Sequence, residues 1–349
     1  MRKLFKRVVT VILAGVIAFG CVGCGASENK ETVKDGDQSS ASVAGEEKET
    51  IRLGLMTGYY DSWLAIVGKE KGIYDKYGVD LQTTDFAAGI NTVDAITTDQ
   101  IDIGFTADFA GINRIGNTLD NTDLRYFAGI SIGKNSKLYV NPDVITSKED
   151  LKGAKIITLL GTVWEYYNAN ALVYAGYDAK DYEVVAVDSA QDGLALCSKG
   201  DADAFFTSGE SAARLEEYGW KPLFGQEDIG AETYCLYMAN DSYLNNNKET
   251  VKKFIQATQE TMDFIKNNTD EAAEILREKA GLEQDVFKKT VADIVYDTKI
   301  DQNSHDALQK VADWTQENGY YEKPFSISDY LNTDALAEVF PEKVSYQKK

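Results

Sequence analysis

The order of strand-like and helix-like segments predicts an α/β protein with parallel sheets and helices on their faces. Short apolar runs alternate with stretches of helical periodicity between residues 51 and 105. The same alternation restarts near residue 142 and continues to about residue 230. The length of 349 residues fits two such units, since a domain usually takes roughly 100–200 residues.

The first unit is predicted to begin with a strand at residues 51–56, which ends at Thr57 and Gly58. A helix follows at residues 62–71, because Trp63, Ile66 and Val67 recur at helical spacing. A second strand starts at Val79, and a helix starts near Gly89 with Val93 and Ile96 on one face. Residues 101–105 are predicted to be the third strand, which completes a β-α-β-α-β order.

The second unit repeats this order after a capping-box pattern at residues 147–150. The remaining predictions are strands at residues 155–160, 183–187 and 203–206, a helix at residues 163–175, and a returning strand at residues 233–238. The chain beyond is predicted to be helical, with an amphipathic helix over residues 251–265.

Composition excludes several classes of function. Lys and Arg number 36 against 56 Asp and Glu, so the formal charge is −20. Such a chain repels phosphate backbones and lacks the basic surface of a nucleic-acid or membrane-surface binder. Because the chain has only one histidine, His305, most histidine-based catalytic sites and most metal sites are excluded. We expect His305 at a solvated helix end.

The first residues predict export. Residues 1–7 are basic and residues 8–20 are apolar, a run too short to span a bilayer as a helix. Residues 1–23 are therefore predicted to be a signal peptide, with lipidation at Cys24 or, alternatively, at Cys21; a plain signal peptide is the other possibility. Residues 24–50 are predicted to form a disordered tether, because they hold almost no large apolar side chains.

Two cysteines, Cys197 and Cys235, remain in the predicted body. Both stand in apolar contexts, which favours two buried thiols, although an exported protein could also pair them as a disulfide.

The search for catalytic motifs finds no nucleophile–histidine pattern, no metal-ligand cluster and no cofactor motif. Residues 129–134 superficially resemble a phosphate loop, but only three residues separate the glycines and Asn135 follows the lysine.

Small, polar and aromatic residues are instead enriched where strands end and helices begin. In open α/β sheets these loops bind ligands, since helix N-termini present free N–H groups there. Trp63 is expected on the apolar face of its helix. The candidate loop residues are Tyr59, Tyr60, Asp61, Gly89, Ile90, Asn91, Thr106, Ala107, Asp108, Gly161, Thr162, Val163, Trp164, Ser208 and Glu210.

Four segments together resemble a known family. They are WLAIVGKEKGIYDKYGVDL at residues 63–81, AITTDQIDIGF at 95–105, DLKGAKIITLLG at 150–161 and GDADAFF at 200–206. In this order they resemble the extracellular solute-binding proteins of ABC importers, in the branch that binds nitrate, taurine, sulfonates or thiamine-pyrimidine precursors. The resemblance covers about residues 51–268.

The resemblance implies a two-lobed, periplasmic-binding-protein-like fold of type II with a ligand cleft between the lobes. Lobe 1 would comprise residues 51–137 plus 237–349, and lobe 2 residues 138–236. It also implies that Glu232 and Tyr234 join the candidate ligand-binding residues. The implied protein is a monomeric binder on the outer face of the cell membrane, held there only by its lipid anchor. A permease and its ATPase would be its partners.

Two departures from the family pattern bear on the site. Many relatives carry a Trp-Glu-Pro-like element where this chain has Ser208, Gly209 and Glu210, so Trp164 is expected to supply the aromatic wall. Related eukaryotic pyrimidine-precursor synthases use a histidine and a cysteine cluster, which this chain lacks, and this favours a binder over an enzyme.

Charge in the candidate loops suggests the ligand. The loops hold acidic residues and no Lys or Arg, and neither Arg114 nor Lys134 is expected in the cleft; the acids are Asp61, Asp108, Glu165, Glu210 and Glu232. This favours an amine-bearing aromatic or heterocycle of the thiamine-pyrimidine type, or a cation. The alternatives are a sulfonate, taurine or nitrate and, from other classes, an exported carboxylate-dependent hydrolase or a sensor module.

Overall fold

Two mixed β-sheets organise the residues that the computed structural model describes, which are 48–57, 59 and 62–347. The predicted signal peptide, Cys21, Cys24 and most of the predicted tether lie outside these residues. The strands are β1 (Glu49–Met56), β2 (Val79–Phe86), β3 (Ile103–Ala107), β4 (Leu124–Gly133), β5 (Lys137–Val140), β6 (Lys155–Thr158), β7 (Glu183–Ala186), β8 (Ala204–Thr207), β9 (Lys221–Gly225), β10 (Thr233–Asn240) and β11 (Val295–Tyr296).

Helices connect the strands and make up most of the chain after β10. No helix among the described residues is both long and apolar enough to cross a membrane. The helices are α1 (Ser62–Glu70), α2 (Ile73–Lys76), α3 (Gly89–Thr97), α4 (Asp108–Thr118), α5 (Val163–Tyr174), α6 (Ala190–Lys199), α7 (Gly209–Glu217), α8 (Asp241–Asn246), α9 (Lys248–Asn267), α10 (Thr269–Ala280), α11 (Gln284–Val291), α12 (Gln302–Glu317) and α13 (Asp334–Val339).

The first sheet has six strands in the order β11-β4-β10-β3-β1-β2. Strand β1 pairs in parallel with β2 and β3, whereas β10 runs antiparallel to β3 and β4. The second sheet, in the order β7-β6-β8-β5-β9, repeats this arrangement: β6 is parallel to β7 and β8, and β5 is antiparallel to β8. Each sheet therefore has a parallel core followed by one strand that arrives from the other sheet.

The chain passes between the sheets twice, through residues 134–136 and residues 226–232. We call these the first and second crossover. Both predicted lobe boundaries fall inside strands. The boundary between residues 137 and 138 lies in β5, which begins at Lys137, and the boundary between residues 236 and 237 lies in β10, which begins at Thr233. Strand β1 begins at Glu49, before the predicted end of the tether at residue 50, because Glu49 pairs with Val79 of β2.

Aromatic contacts join the C-terminal helices to the first sheet. The ring of Phe254 in α9 lies 6.0 Å from Tyr74 of α2 and 5.0 Å from Tyr237 of β10, between ring centroids. Tyr237 in turn stacks on Phe127 of β4 at 6.0 Å. This explains the apolar periodicity of α9, whose buried face includes Val251, Phe254, Ile255 and Met262.

The structure differs from the sequence prediction at several elements. The sheets are mixed and not wholly parallel, because β10 and β5 enter them in the opposite direction. Strands β4, β5, β9 and β11 were not predicted. Strand β4 is buried along almost its whole length and shows no alternation, and β11 is a two-residue strand within the segment that was predicted to be helical. Residues 129–133 belong to β4 and precede no helix, which confirms the rejection of a phosphate loop.

His305 is buried, contrary to the predicted solvated helix end. Its Nε2 lies 2.9 Å from Ser328 Oγ, and its ring stacks on Tyr346 at 5.5 Å, because the first turn of α12 faces the C-terminal segment. Cys197 in α6 and Cys235 in β10 are both buried and no disulfide joins them, which agrees with the favoured reading of two buried thiols.

Replacing Gly129 with alanine should lower the free energy of unfolding by about 1–3 kcal/mol. A Cβ at this position in β4 would lie 2.6 Å from the backbone oxygen of Lys299 and 2.7 Å from that of Asp297. Gly225→Ala in β9 is the control, because its nearest Cβ contact would be 3.4 Å, and we expect a change within about 0.5 kcal/mol. Equal denaturant midpoints for the two variants would contradict this account of the packing.

Candidate functional site

One pocket lies where the carboxyl ends of the parallel strands of both sheets meet. Met56, Ala107 and Thr207 end β1, β3 and β8, while Ala88 and Leu159 follow β2 and β6. The space between its walls, including the part that is open solvent, amounts to about 650 Å³. Its lining residues are Met56, Tyr59, Ala88, Gly89, Phe105, Ala107, Ala110, Ser136, Leu159, Thr162, Val163, Trp164, Tyr167, Thr207, Ser208, Thr233 and Cys235.

Four helices point their N-termini at this pocket. Their N-cap residues Ala88, Ala107, Thr162 and Ser208 belong to α3, α4, α5 and α7, and all four line it. Thr162 closes the first turn of α5 by accepting a hydrogen bond from Trp164 N. The first N–H groups of a helix carry partial positive charge, and no charged side chain is among the described lining residues. The pocket therefore offers N–H and hydroxyl groups in largely apolar walls.

Seven of the residues predicted from the sequence line this pocket, and they come from both sheets. Tyr60 and Asp61 lie outside the described residues. The seven are Tyr59, Gly89, Ala107, Thr162, Val163, Trp164 and Ser208.

Four further predicted residues lie behind or beside the pocket. Thr106 and Asp108 are buried behind its wall. Gly161 and Ile90 precede or follow lining residues in the chain and lie close together, since a Cβ on Gly161 would be 3.7 Å from Ile90 Cγ1.

The remaining predicted residues face elsewhere. Asn91 is exposed, and Glu210 lines a neighbouring cavity that also contacts Tyr59 and Trp63. Glu232 forms an ion pair with Lys134 at 2.5 Å. Tyr234 does not line the pocket, although its neighbours Thr233 and Cys235 do, because alternate residues of a strand face opposite sides.

Three of the five carboxylates that suggested a cationic or amine ligand, Asp108, Glu165 and Glu232, are engaged within the protein. Glu165 accepts a hydrogen bond of 2.6 Å from Gly161 N, and burial raises its pKa. Asp108 accepts hydrogen bonds from Phe109 N at 2.7 Å and Tyr234 N at 2.9 Å. Burial raises the pKa of Asp108 to about 7 despite these two N–H groups. None of the described carboxylates lines the pocket.

Aromatic side chains form one wall of the pocket. Trp164 packs edge-to-face against Phe205 at 4.8 Å, and Tyr167 lies 4.7 Å from Phe206, between ring centroids. Trp63 is buried against Phe287 at 5.1 Å, as expected from its place on an apolar helix face. Trp164 is thus held by the second sheet and lines the pocket, where it was predicted to form an aromatic wall.

A buried glutamine connects the pocket to both crossovers. Gln226 in the second crossover accepts a hydrogen bond from Ser136 N of the first at 2.8 Å. Its Nε2 donates to Ala231 O at 2.9 Å and lies 2.8 Å from Tyr167 Oη and 3.0 Å from Thr233 Oγ1.

Sequence reasoning missed the residues that tertiary structure brings to the pocket. Tyr167 could have been found, since it follows Val163 by one helical turn on the same face of α5. Ser136 and Gln226 carry no local signal, because their position depends on the crossovers. No group of three or more metal-ligating side chains occurs within the described ranges.

Comparison with known proteins supports the resemblance seen in the sequence. The family model described as NMT1/THI5 like matches residues 61–272. A protein of Brucella abortus strain 2308, named "Putative binding protein", is 24% identical over 304 residues, which cover 84% of this chain and 93% of the relative.

Solved structures share the fold. The alkanesulfonate-binding protein SsuA from Xanthomonas axonopodis pv. citri, bound to MOPS, is 17% identical with a TM-score of 0.73, covering 82% of this chain and 99% of that chain. The desulfurization enzyme DSZB is 14% identical with a TM-score of 0.62, covering 84% of this chain and 99% of that chain. The fold is therefore that of the periplasmic binding proteins, as expected.

The raised pKa of Asp108 predicts a pH-dependent cost to stability. An unfolded aspartate ionises near pH 4, whereas folded Asp108 holds its proton up to about pH 7. The folded chain therefore binds more protons in this window, and the free energy of unfolding falls as the pH rises. As the pH rises from about 4 to 7, the free energy of unfolding of Asp108→Asn should therefore increase relative to that of the wild type, by at most about 1.4 kcal/mol per pH unit.

Urea unfolding across this pH range measures the difference. Asp143→Asn, at an exposed carboxylate, is the control and should track wild type. A difference between Asp108→Asn and wild type that stays constant with pH would contradict the assignment.

Proposed function

We propose that this chain, which belongs to the NMT1/THI5-like family, is the solute-binding protein of an ABC importer. The observation that carries the proposal is a pocket built from strand ends of both sheets, with four helix N-termini around it. Such a pocket takes up a small molecule between two lobes.

Ligand capture would work by lobe closure. A solute that contacts one sheet in an open form and both in a closed form stabilises the closed form by its differential affinity. The two crossovers are the places where the chain can absorb this movement, since no other described segment passes between the sheets. No chemical change of the ligand is required.

The lining favours a small neutral aromatic or heterocyclic solute. Trp164, Tyr59 and Phe105 offer ring faces and edges, while hydroxyl groups can meet amino and ring-nitrogen groups. An amine-bearing heterocycle of the thiamine-pyrimidine type fits this description. A cation fits less well than the sequence suggested, because no described lining side chain would pair with its charge.

A sulfonate is the second candidate. Four helix N-termini favour a negatively charged group. The name of the structurally similar SsuA protein points to the same class of solute.

Binding accounts for the pocket better than hydrolysis does. A carboxylate-dependent hydrolase needs an acid and a base in contact with the substrate, and the described lining contains neither. A fold shared with the enzyme DSZB does not by itself imply catalysis.

We further propose that Cys24, or alternatively Cys21, carries the lipid that holds the protein on the outer face of the cell membrane. The binder would act as a monomer and deliver its solute to a membrane permease driven by an ATPase. Residues 48–133 with 233–347 would move as one lobe and residues 137–225 as the other, with the two crossovers between them.

A thermal-shift screen tests the proposal. The purified protein is heated with pyrimidines, amines, sulfonates, nitrate and sugars, and a ligand at a hundredfold excess over Kd should stabilise it by about 2.7 kcal/mol. Mass spectrometry of the recovered ligand should show it unchanged. A ligand consumed at a rate proportional to protein concentration would overturn the proposal in favour of an enzyme.

Filling the pocket should abolish this stabilisation. Val163→Phe places a larger side chain in the lining, whereas Val173→Phe makes the same change at an exposed position of α5. We expect Val173→Phe to keep the ligand-induced rise in Tm and Val163→Phe to lose it. Retention of the full rise by Val163→Phe would place the ligand elsewhere.

A further inference from the structure

The amide of Gln226 has one orientation. The side chain is 1% exposed, and its Oε1 accepts the N–H of Ser136 while its Nε2 donates to Ala231 O. Exchanging the two ends would place N–H against N–H and oxygen against oxygen. Backbone groups of both crossovers therefore fix Nε2 toward Tyr167 and Thr233.

The hydroxyl groups of Tyr167 and Thr233 form a pair that carries two protons in total. Their hydroxyl oxygens are hydrogen-bonded to each other, which uses one of the pair's two protons. The other proton cannot go to Gln226, because the nitrogen that faces the pair is itself a donor. Neither hydroxyl forms another hydrogen bond within the part of the chain that the structure describes.

Both hydroxyl-bearing residues line the pocket. We propose that the second proton points into the pocket and that Gln226, by fixing the pair as a donor, selects solutes that carry a hydrogen-bond acceptor at this end. This inference deepens the proposed function and rests on it. A solute without an acceptor there leaves a buried hydroxyl unsatisfied, which disfavours its binding.

The selected chemistry is a ring nitrogen, a carbonyl oxygen or a sulfonate oxygen. A hydrocarbon edge, or a group that only donates, is selected against. Gln226 is thus a positioning residue: it need not touch the solute, because it acts through the two hydroxyls.

Matched probes test this selection. 4-Amino-2-methylpyrimidine and 3-methylaniline have the same shape and the same amino and methyl groups, but only the first has ring nitrogens. Both are neutral in mildly alkaline buffer. Calorimetric titration of the wild-type protein should give a roughly tenfold lower Kd for the pyrimidine.

Variants of the hydroxyl pair distinguish a loss of this preference from a general loss of binding. Tyr167→Phe or Thr233→Val alone frees the proton of the remaining hydroxyl, so each single variant should keep the preference. The double variant lacks both hydroxyls and should bind the two probes within about twofold of each other. Tyr139→Phe, which removes a hydroxyl bonded to Glu216 outside this pocket, is the control and should keep the wild-type ratio.

Gln226→Met tests the positioning role. Without the amide N–H groups, the hydroxyl lone pairs can turn to the pocket and accept the aniline N–H, so the ratio of the two Kd values should fall. A purely structural role for Gln226 would weaken both probes together and leave their ratio unchanged.

The outcomes distinguish this inference from the proposed function. Equal wild-type affinities, or a preference that survives in the double variant, would overturn the inference while both probes still bind. Failure of both probes to bind the wild-type protein would count against a small aromatic solute, and the inference would fall with that proposal.

Discussion

The hydrogen bonds of Gln226 hold together the two segments on which the architecture depends. The chain crosses between the sheets only at residues 134–136 and 226–232 within the described part, and Gln226 of the second crossover is joined to the first through Ser136. Because the same amide contacts Tyr167 and Thr233, the joint and the pocket wall share one buried polar network. A change in the hydrogen bonds of the crossovers therefore affects those of the pocket wall, and the reverse also holds.

The pocket follows from the way each sheet is built. In both sheets a parallel core directs its strand ends, and the helices that follow them, toward one edge. The antiparallel strands β5 and β10 then place these two edges opposite each other. Helix N-termini and small residues meet there, while the acidic residues Asp108, Glu165 and Glu232 are engaged with backbone groups or with Lys134.

The sequence was sufficient to predict the strands and helices whose periodicity is local, and the loops that follow them. It predicted Thr162, Trp164 and Ser208 as pocket residues because each stands at the start of a helix after a strand. It could not predict β4, which lacks alternation, or the crossovers, whose contacts join residues about ninety positions apart. It placed Asp108, Glu165, Glu210 and Glu232 in the ligand site, but none of them lines this pocket, since side-chain direction decides whether a loop carboxylate faces it.

The most direct test of the account is a distance between the lobes. Spin labels at Asn121→Cys, beside the first sheet, and Asp201→Cys, beside the second, can be attached selectively once Cys21 and Cys24 are replaced by serine, because Cys197 and Cys235 are buried. Pulsed electron paramagnetic resonance should show a distribution of label-to-label distances whose mean shortens and whose width narrows when a ligand from the thermal-shift screen saturates the protein. An unchanged distribution with ligand bound would contradict capture by lobe closure around the crossovers.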